Sequence, residues 1–267
     1  MHHGHRCDRG VPEVPDPMTR VRRALLAVSA VSAVSAVAML AGCGILPADP
    51  SAVPTDFVPS PSASPGDLAG ALSPDGFSAA QRMSVRVRNI GCGFLATGSG
   101  FALDEHTLIT NRHVVENAKH IEISTYDGRV IQATAASTTT VADIAIVTTE
   151  ESLGTSYADR SDEDPVEGDV ITVVGYPSGG RLTTTSGVVL GETTDPLGGA
   201  VGTVLASTAQ IEPGSSGSAV FNASGQVVGV VYAMNTSDQS FIVPISTLNK
   251  LLDEPALLVP NSEGCSS

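Results

Sequence analysis

The sequence predicts an all-β protein whose strands form two antiparallel barrels or a sandwich. Most of the chain after residue 79 consists of short, β-branched segments separated by turns, and these segments form two groups on either side of an acidic loop at 159–169. Helical patterns do not alternate with the strands, which argues against a parallel α/β sheet. With 267 residues, of which 42% are hydrophobic, the chain is long enough to bury such a core.

The strand and helix segments follow one another in a simple order. One helix is predicted at 245–254, because Ile245, Leu248 and Leu251 share a face and Pro255 stands beyond its end. The first group of strands comprises 84–89, 98–103, 107–110, 120–125 and 143–148, and the second comprises 170–177, 181–191, 203–211, 218–222, 226–233 and 240–245.

Residues 1–42 have the features of an export signal. A basic start at 20–23 precedes an apolar run at 24–41, which is typical of a cleaved secretory segment. Because the apolar run is also about long enough to span a bilayer, an uncleaved anchor is the alternative. The residues before Met18 fit no signal pattern, which indicates Met18 as the true start.

The tetrapeptide LAGC at Leu40–Cys43 resembles the bacterial lipobox. The resemblance implies that Cys43 carries the lipid (including palmitate) and anchors an exported protein on the outer face of the cell membrane. Residues 43–78 are rich in Pro, Ser and Ala and are predicted to be a spacer, so the folded domain is expected at 79–267.

Charge and histidine spacing exclude two classes of partner. The net charge is −14, and residues 1–42 contribute more arginines than acids, so the exported part is more acidic still. Such a surface repels phosphate backbones, and no nucleic acid is expected. The spacing of His106, His113 and His120 matches no common metal site, and neither a metal nor a cofactor is expected.

The segment Gln210–Phe221 (QIEPGSSGSAVF) holds three serines among glycines, which is typical of a turn but also of a nucleophile loop. A serine nucleophile needs a base and an orienting acid. His113 directly follows an apolar strand, and Asp143 stands among apolar strand residues where a carboxylate needs a partner. A surface position at a strand end is the alternative for Asp143. No histidine follows Ser216, which excludes the α/β-hydrolase order.

Three motifs together resemble the trypsin-like serine peptidases, and most closely the bacterial HtrA-type and actinobacterial exported members. They are TNRHVV at 110–115, DIAIV at 143–147 and IEPGSSGSAV at 211–220. The resemblance implies two six-stranded antiparallel β-barrels with a short C-terminal helix, and a serine endopeptidase acting on polypeptides. It extends over about 84–253.

The resemblance also implies roles for individual residues. Ser216 would attack the scissile carbonyl, His113 would carry the proton, and Asp143 would orient the imidazole. The backbone N–H groups of Gly214 and Ser216 would form the oxyanion hole. Without an acid at the base of the specificity pocket, a small or medium apolar side chain is the expected preference. The pocket residues would be Gln210, Val230, Val231, Tyr232 and Ala233.

The sequence departs from the family pattern in several places. Ser215 stands where the family usually has Asn or Asp before the nucleophile, and Ser218 replaces the second Gly after it. Ser218 would be strained if its position requires a positive φ. Arg112 is expected to reach solvent or an acid, such as one in loop 159–169. Only 13 residues follow Glu254, so no PDZ module is expected there.

The cysteines of an exported protein predict a disulfide. With Cys43 lipidated in an oxidising compartment, Cys92 and Cys265 are expected to form one disulfide, with two free thiols as the alternative.

Two functions other than a serine endopeptidase remain open from the sequence. A non-catalytic binding protein on the same fold is the first alternative. An esterase or other acyl transferase that uses the same triad is the second.

Overall fold

The computed structural model describes residues 75–196 and 202–261. The predicted export signal, Cys43, residues 43–74 of the spacer and Cys265 lie outside the described residues.

The first half of the domain is a closed six-stranded antiparallel barrel. Its strands follow the order β5-β4-β1-β2-β3-β6, and pairing of β5 with β6 closes the barrel. A late strand, β13, pairs with Ser137 and Thr138 of β5. The bounds are β1 (Ser84–Gly91), β2 (Leu95–Ala102), β3 (Thr107–Thr110), β4 (Ala118–Ser124), β5 (Val130–Thr138), β6 (Ala145–Thr149) and β13 (Val259–Pro260).

The second half is another closed antiparallel barrel of six strands. Its order around the barrel is β10-β11-β12-β9-β8-β7. The strands are β7 (Val170–Gly175), β8 (Thr183–Thr194), β9 (Thr203–Ser207), β10 (Ala219–Phe221), β11 (Val227–Met234) and β12 (Ser240–Pro244).

Within the described ranges, three short α-helices flank the barrels: α1 (Ala79–Met83), α2 (Arg112–Val115) and α3 (Ile245–Asp253). The acidic loop is hydrogen-bonded to the start of α3. Asp164 accepts hydrogen bonds from the backbone N–H (2.8 Å) and the hydroxyl (2.6 Å) of Ser246, which lies in the first turn of the helix. A carboxylate at this end complements the helix dipole. Among the described residues, no helix has the length and apolar character needed to cross a membrane.

The alternation of strand side chains divides the apolar residues between two clusters. Ile171 and Val173 of β7 pack inside the second barrel, whereas Val174 belongs to the larger cluster that includes the first-barrel residues. Because successive side chains point to opposite faces of a strand, one strand supplies both clusters. Phe101, Phe221, Ile123 and Ile242 are among the fully buried side chains.

The predicted fold class of two six-stranded barrels with a short C-terminal helix is confirmed, and two strands were missed. β5 reads VIQATAAST, and its alanines give a weak strand signal. β13 has only two residues. Regular packing also begins before residue 79, because the ring of Phe77 packs edge-on against Tyr126 at a centroid distance of 5.2 Å.

The first helix begins with a capping box that lends itself to a stability test. Ser78 Oγ accepts from the N–H of Gln81, and the Gln81 side chain accepts from the N–H of Ser78. Ser78→Ala should lower the free energy of unfolding by about 1 kcal/mol in urea titrations. Ser224→Ala, at an exposed turn, is the control and should change it by less than about 0.5 kcal/mol. Equal losses in the two variants would show that the box contributes nothing.

Candidate active site

His113 and Asp143 form a close pair at one end of the first barrel. His113 lies in α2, directly after β3, and Asp143 precedes β6, which pairs with β3. The Nδ1 of His113 lies 2.5 Å from Oδ2 of Asp143, and the backbone N–H of His113 donates to Oδ1 at 3.0 Å. Asp143 is 5% exposed, while the His113 side chain is 44% exposed. A buried carboxylate therefore holds an imidazole whose other edge is accessible.

Two buried asparagines fix the elements that carry this pair. Asn111 Nδ2 donates to the backbone oxygen of Asp143 at 2.6 Å, so the residue at the start of α2 also fixes the Asp143 backbone. Asn89 Nδ2 donates to the backbone oxygens of Val114 (3.0 Å) and Glu116 (2.8 Å), which ties the end of α2 to β1. The position of the imidazole is thus set by hydrogen bonds at both ends of a four-residue helix.

The serine loop consists of two consecutive turns. The N–H of Ser215 donates to Glu212 O at 2.9 Å, and the N–H of Ser218 donates to Ser215 O at 3.0 Å. The third residue of each turn is a glycine with positive φ, +96° at Gly214 and +90° at Gly217. A positive φ at this position is the signature of a type II turn. Ser216 therefore lies between two positions that favour glycine.

The two turns leave two backbone donors unused. Within the part of the chain that the structure describes, the N–H groups of Gly214 and Ser216 have no hydrogen-bond partner. By contrast, the N–H of Gly217 donates to Val231 O at 2.8 Å. Gly214 and Ser216 are half-buried, and a pair of free backbone donors beside a hydroxyl is suited to receive an oxyanion.

Ser99 in β2 supports this loop, and the sequence analysis did not identify it. Its N–H donates to Ser216 O at 2.7 Å, and its hydroxyl donates to Gly214 O at 2.8 Å. The hydroxyl also accepts from the N–H of Tyr176 at 2.8 Å. The available signal was a polar residue between two glycines in an otherwise apolar strand, but that signal does not identify the partner.

The Ser216 hydroxyl rests on the backbone of β11. It donates to Tyr232 O at 3.4 Å, and no hydrogen bond joins it to His113 in the described structure. The Tyr232 ring is buried, and its hydroxyl donates to Asp195 at 2.7 Å. Burial, together with the charges of Asp195 and Asp143, raises the pKa of Tyr232 well above its usual value. The phenol therefore stays protonated and remains a donor.

The predicted specificity residues differ in how far they are exposed. Gln210 is exposed and borders a small cavity with Ser215, Thr183 and Thr185. Val230 and Val231 are fully buried in the two apolar clusters, so their side chains are not available to a substrate. The half-buried Ala233 and the backbone of Tyr232 lie on the same strand, β11.

The sequence departures have local structural explanations. Ser218 has no positive φ and is not strained, because the left-handed position is Gly217. Its buried hydroxyl has no hydrogen-bond partner and lies against Gly175, where a side chain would overlap it. Arg112 reaches an acid as expected, but that acid is Glu116, 3.3 Å from its guanidinium, and not one in loop 159–169. The guanidinium also donates to Thr139 O. An i,i+4 partner on the same short helical segment is simply closer.

The other two histidines, His106 and His120, are exposed and make no hydrogen bond to His113 within the described residues. His106 is exposed in the turn between β2 and β3, where its backbone oxygen accepts from Thr149 N at 2.9 Å. His120 is exposed on β4. In the described ranges, no group of three His, Cys, Asp or Glu side chains is arranged to hold a metal ion.

Asn111 gives a test of how the pair is positioned. Asn111→Ala removes the hydrogen bond to Asp143 O, and a small displacement of the acid or the imidazole costs about 10²-fold in rate. We expect kcat on a peptide substrate to fall by about that factor with KM nearly unchanged. A parallel change in KM and melting temperature without a specific loss of kcat would mean that Asn111 serves stability alone.

Part of the chain is similar to known serine proteases. A model of the trypsin-like peptidase domain matches residues 98–230. The putative serine protease HhoB of Synechocystis sp. is 33% identical over 166 residues, which cover 59% of this chain and 39% of that protein. A probable periplasmic DegP-like serine endoprotease of Rhizobium meliloti is 28% identical over 175 residues, covering 63% and 34%. The chain thus spans less than half the length of these relatives.

Solved structures share the fold. The Rv3671c protease from M. tuberculosis in its active form superimposes with a TM-score of 0.60 at 24% identity, over 70% of this chain and 85% of that one. The HtrA-type protease AlgW with decapeptide gives a TM-score of 0.58 at 21% identity, over 66% and 65%. Residues 98–230 are therefore identified as a trypsin-like peptidase domain, and its sequence relatives include HtrA-type serine proteases.

Proposed function

We propose that the chain is a serine endopeptidase that uses His113, Asp143 and Ser216. The observation that carries the proposal is the buried Asp143 carboxylate, which binds both Nδ1 and the backbone N–H of His113. The names of the relatives support it, because HhoB and the DegP-like protein are described as serine proteases.

The proposed reaction begins with rotation of the Ser216 hydroxyl from Tyr232 O towards the exposed edge of His113. Catalytic hydrogen bonds are often long or misaligned without substrate, so the resting contact at 3.4 Å is compatible with this role. His113 then takes the hydroxyl proton through Nε2 as Oγ bonds to the scissile carbonyl carbon. The imidazolium is stabilised by Asp143.

The next step places the new negative charge in the turn. The carbonyl oxygen becomes an oxyanion that accepts from the N–H groups of Gly214 and Ser216, both free in the described structure. Collapse of the tetrahedral intermediate breaks the C–N bond, and His113 returns its proton to the leaving amine. Water then hydrolyses the acyl-enzyme with His113 again as the base.

Substrate preference and location are further parts of the proposal. With the neutral Gln210 as the predicted base of the pocket, a small or medium apolar side chain is preferred before the cleaved bond. A cleavage profile of a peptide library dominated by Lys or Arg would overturn this preference. Lipidation of Cys43 would place the enzyme on the outer face of the cell membrane. The description of relatives as periplasmic supports export.

A disulfide between Cys92 and Cys265 also belongs to the proposal. Residue Gly91, next to Cys92, pairs with Ala118 of β4, and Ala118 lines one cavity together with Asn261. Asn261 also donates to Val115 O at 2.9 Å. The four residues that follow Asn261, which end at Cys265, can span up to about 14 Å when extended, a reach suited to this pairing.

Active-site labelling tests the central proposal. The full chain is treated with a fluorophosphonate probe, and the adduct is located by peptide mass spectrometry. We expect one adduct on Ser216 that disappears in Ser216→Ala. The matched control is Ser215→Ala, which removes the neighbouring hydroxyl and should leave labelling in place.

The other outcomes separate the competing functions. No adduct on chain with a native β-type circular dichroism spectrum would favour a non-catalytic binding protein. An adduct on Ser215 or Ser218 would mean that the nucleophile is misassigned. Labelling of Ser216 with turnover of esters but not of peptides would favour an esterase.

A further inference from the structure

Two arginines line one groove between the barrels, and neither has an acidic partner among the residues that the structure describes. The groove, which we call the arginine groove, is a cavity of about 370 Å³ whose lining includes Arg86, Arg181, Phe77, Tyr126, Tyr176 and Leu182. Three other arginines of the described chain are paired with acids: Arg88 with Glu122, Arg112 with Glu116 and Arg129 with Asp127. Arg82 and Arg160 also lack an ion pair among the described residues, but neither lines this groove. In a chain with a net charge of −14, two unpaired cations at one cavity call for an explanation.

Arg86 is held in place but is not neutralised. Its Nη1 donates to Gly179 O at 3.0 Å and its Nη2 to Ser124 Oγ at 3.2 Å, both uncharged acceptors. Its Nε is buried and has no hydrogen-bond partner. Partial burial of a guanidinium costs free energy when no acid neutralises its charge, and an incoming anion would reduce that cost.

The rest of the lining combines aromatic and aliphatic side chains with small polar residues and glycines, and it contains no acid. Phe77 and Tyr126 form the edge-on pair, and Leu182 adds an aliphatic side. Burial raises the pKa of Tyr176 to about 12, so its phenol stays neutral. Asp127, the nearest acid on the β4–β5 turn, is engaged by Arg129. Asp75 accepts a hydrogen bond from the Tyr126 hydroxyl at 3.4 Å.

We propose that the arginine groove binds a peptide carboxylate that is accompanied by an apolar side chain. Guanidinium groups present forked donors that match a carboxylate, and the aromatic rings provide a surface for the adjacent side chain. None of these residues belongs to the candidate triad, so this binding does not depend on peptidase chemistry.

The groove also adjoins the serine loop through one turn. Arg86 binds Gly179, and the N–H of the preceding residue, Ser178, donates to Pro213 O at 2.6 Å. Ser178 adopts a left-handed φ of +53°, and the backbone of this turn packs directly against Gly214. A ligand on Arg86 would therefore perturb the Gly214 N–H. Any resulting effect on rate rests on the proposed function, whereas the binding does not.

The test is an NMR titration of the full chain with N-acetyl-phenylalanine, which places a carboxylate beside a ring. The neutral N-acetyl-phenylalanine amide and inorganic phosphate are the comparison ligands. We expect saturable shifts of the Arg86 Nε–H and Gly179 N–H resonances, with a dissociation constant on the order of 1 mM for so small a ligand. The amide and phosphate should bind at least about tenfold more weakly.

Three variants make the test specific. Arg86→Gln and Arg181→Gln should each weaken binding by at least about fivefold, whereas Arg88→Gln, on the same strand but paired with Glu122, should not. Arg181 is exposed, so its variant remains informative if Arg86→Gln fails to fold. Equal shifts with the amide, equal binding of phosphate, or unchanged binding in Arg181→Gln would each overturn the proposal.

Discussion

Asp143→Asn should lower kcat on a peptide substrate by about 10⁴, since an amide in place of the carboxylate traps the wrong imidazole tautomer. The Asn oxygen can still accept from the backbone N–H of His113, so the fold around α2 is retained. Its NH₂ group then faces Nδ1, which must act as an acceptor. The proton moves to Nε2, and His113 can no longer take the proton of Ser216. Initial rates with a peptide substrate measure the loss.

The control for this variant is Asp127→Asn. Asp127 also accepts hydrogen bonds, from Thr125 and Arg129, but lies in the β4–β5 turn. It should retain nearly full activity. A loss smaller than tenfold in Asp143→Asn, with the fold intact, would show that His113 does not depend on this carboxylate.

Gly217→Ala should lower the free energy of unfolding by about 2–5 kcal/mol. An L-residue at φ +90° costs about 1–2 kcal/mol, and a side chain there adds an overpacking cost of about 1–3 kcal/mol. The added Cβ would overlap Ser99 O and lie 2.6 Å from Thr110 Oγ1. Since small domains have only about 5–15 kcal/mol in total, a large fraction of stability is at risk. Urea unfolding measures the change.

Gly128→Ala separates the two contributions. Gly128 also has a positive φ, +86°, but an added Cβ there would meet nothing within 4 Å. Its replacement should therefore cost only about 1–2 kcal/mol. If both variants lose the same amount, the close approach of Gly217 to β2 is not a constraint on the serine loop.

The sequence predicted the parts of the site that carry distinctive local chemistry. Asp143 could be singled out because a carboxylate among apolar strand residues needs a partner, and the structure supplies His113. The two-barrel architecture followed from the resemblance, because the strand pattern alone left a sandwich open. β5 was not predicted, because its alanine-rich sequence gives only a weak strand signal.

Other parts of the site depend on distant contacts and could not be predicted. Ser99 and Gly214 are 115 residues apart in sequence, and nothing local to either indicates their hydrogen bond. The same holds for Asn89, whose partners are 25 and 27 residues away. The burial of Val230 and Val231 also reflects how β11 packs between two clusters, which its uniformly apolar sequence does not reveal.

The pairing of β13 with β5 has a consequence for synthesis on the ribosome. Val259 meets Thr138, so the ribosome adds about 120 residues between these two partners. The first barrel can close through β5 and β6 well before then, but the additional strand β13 arrives only after the second barrel has been translated. Until that moment the edge of β5 at Ser137 and Thr138 is open to another extended chain. A nascent chain arrested before residue 259 should therefore be more aggregation-prone than the finished protein.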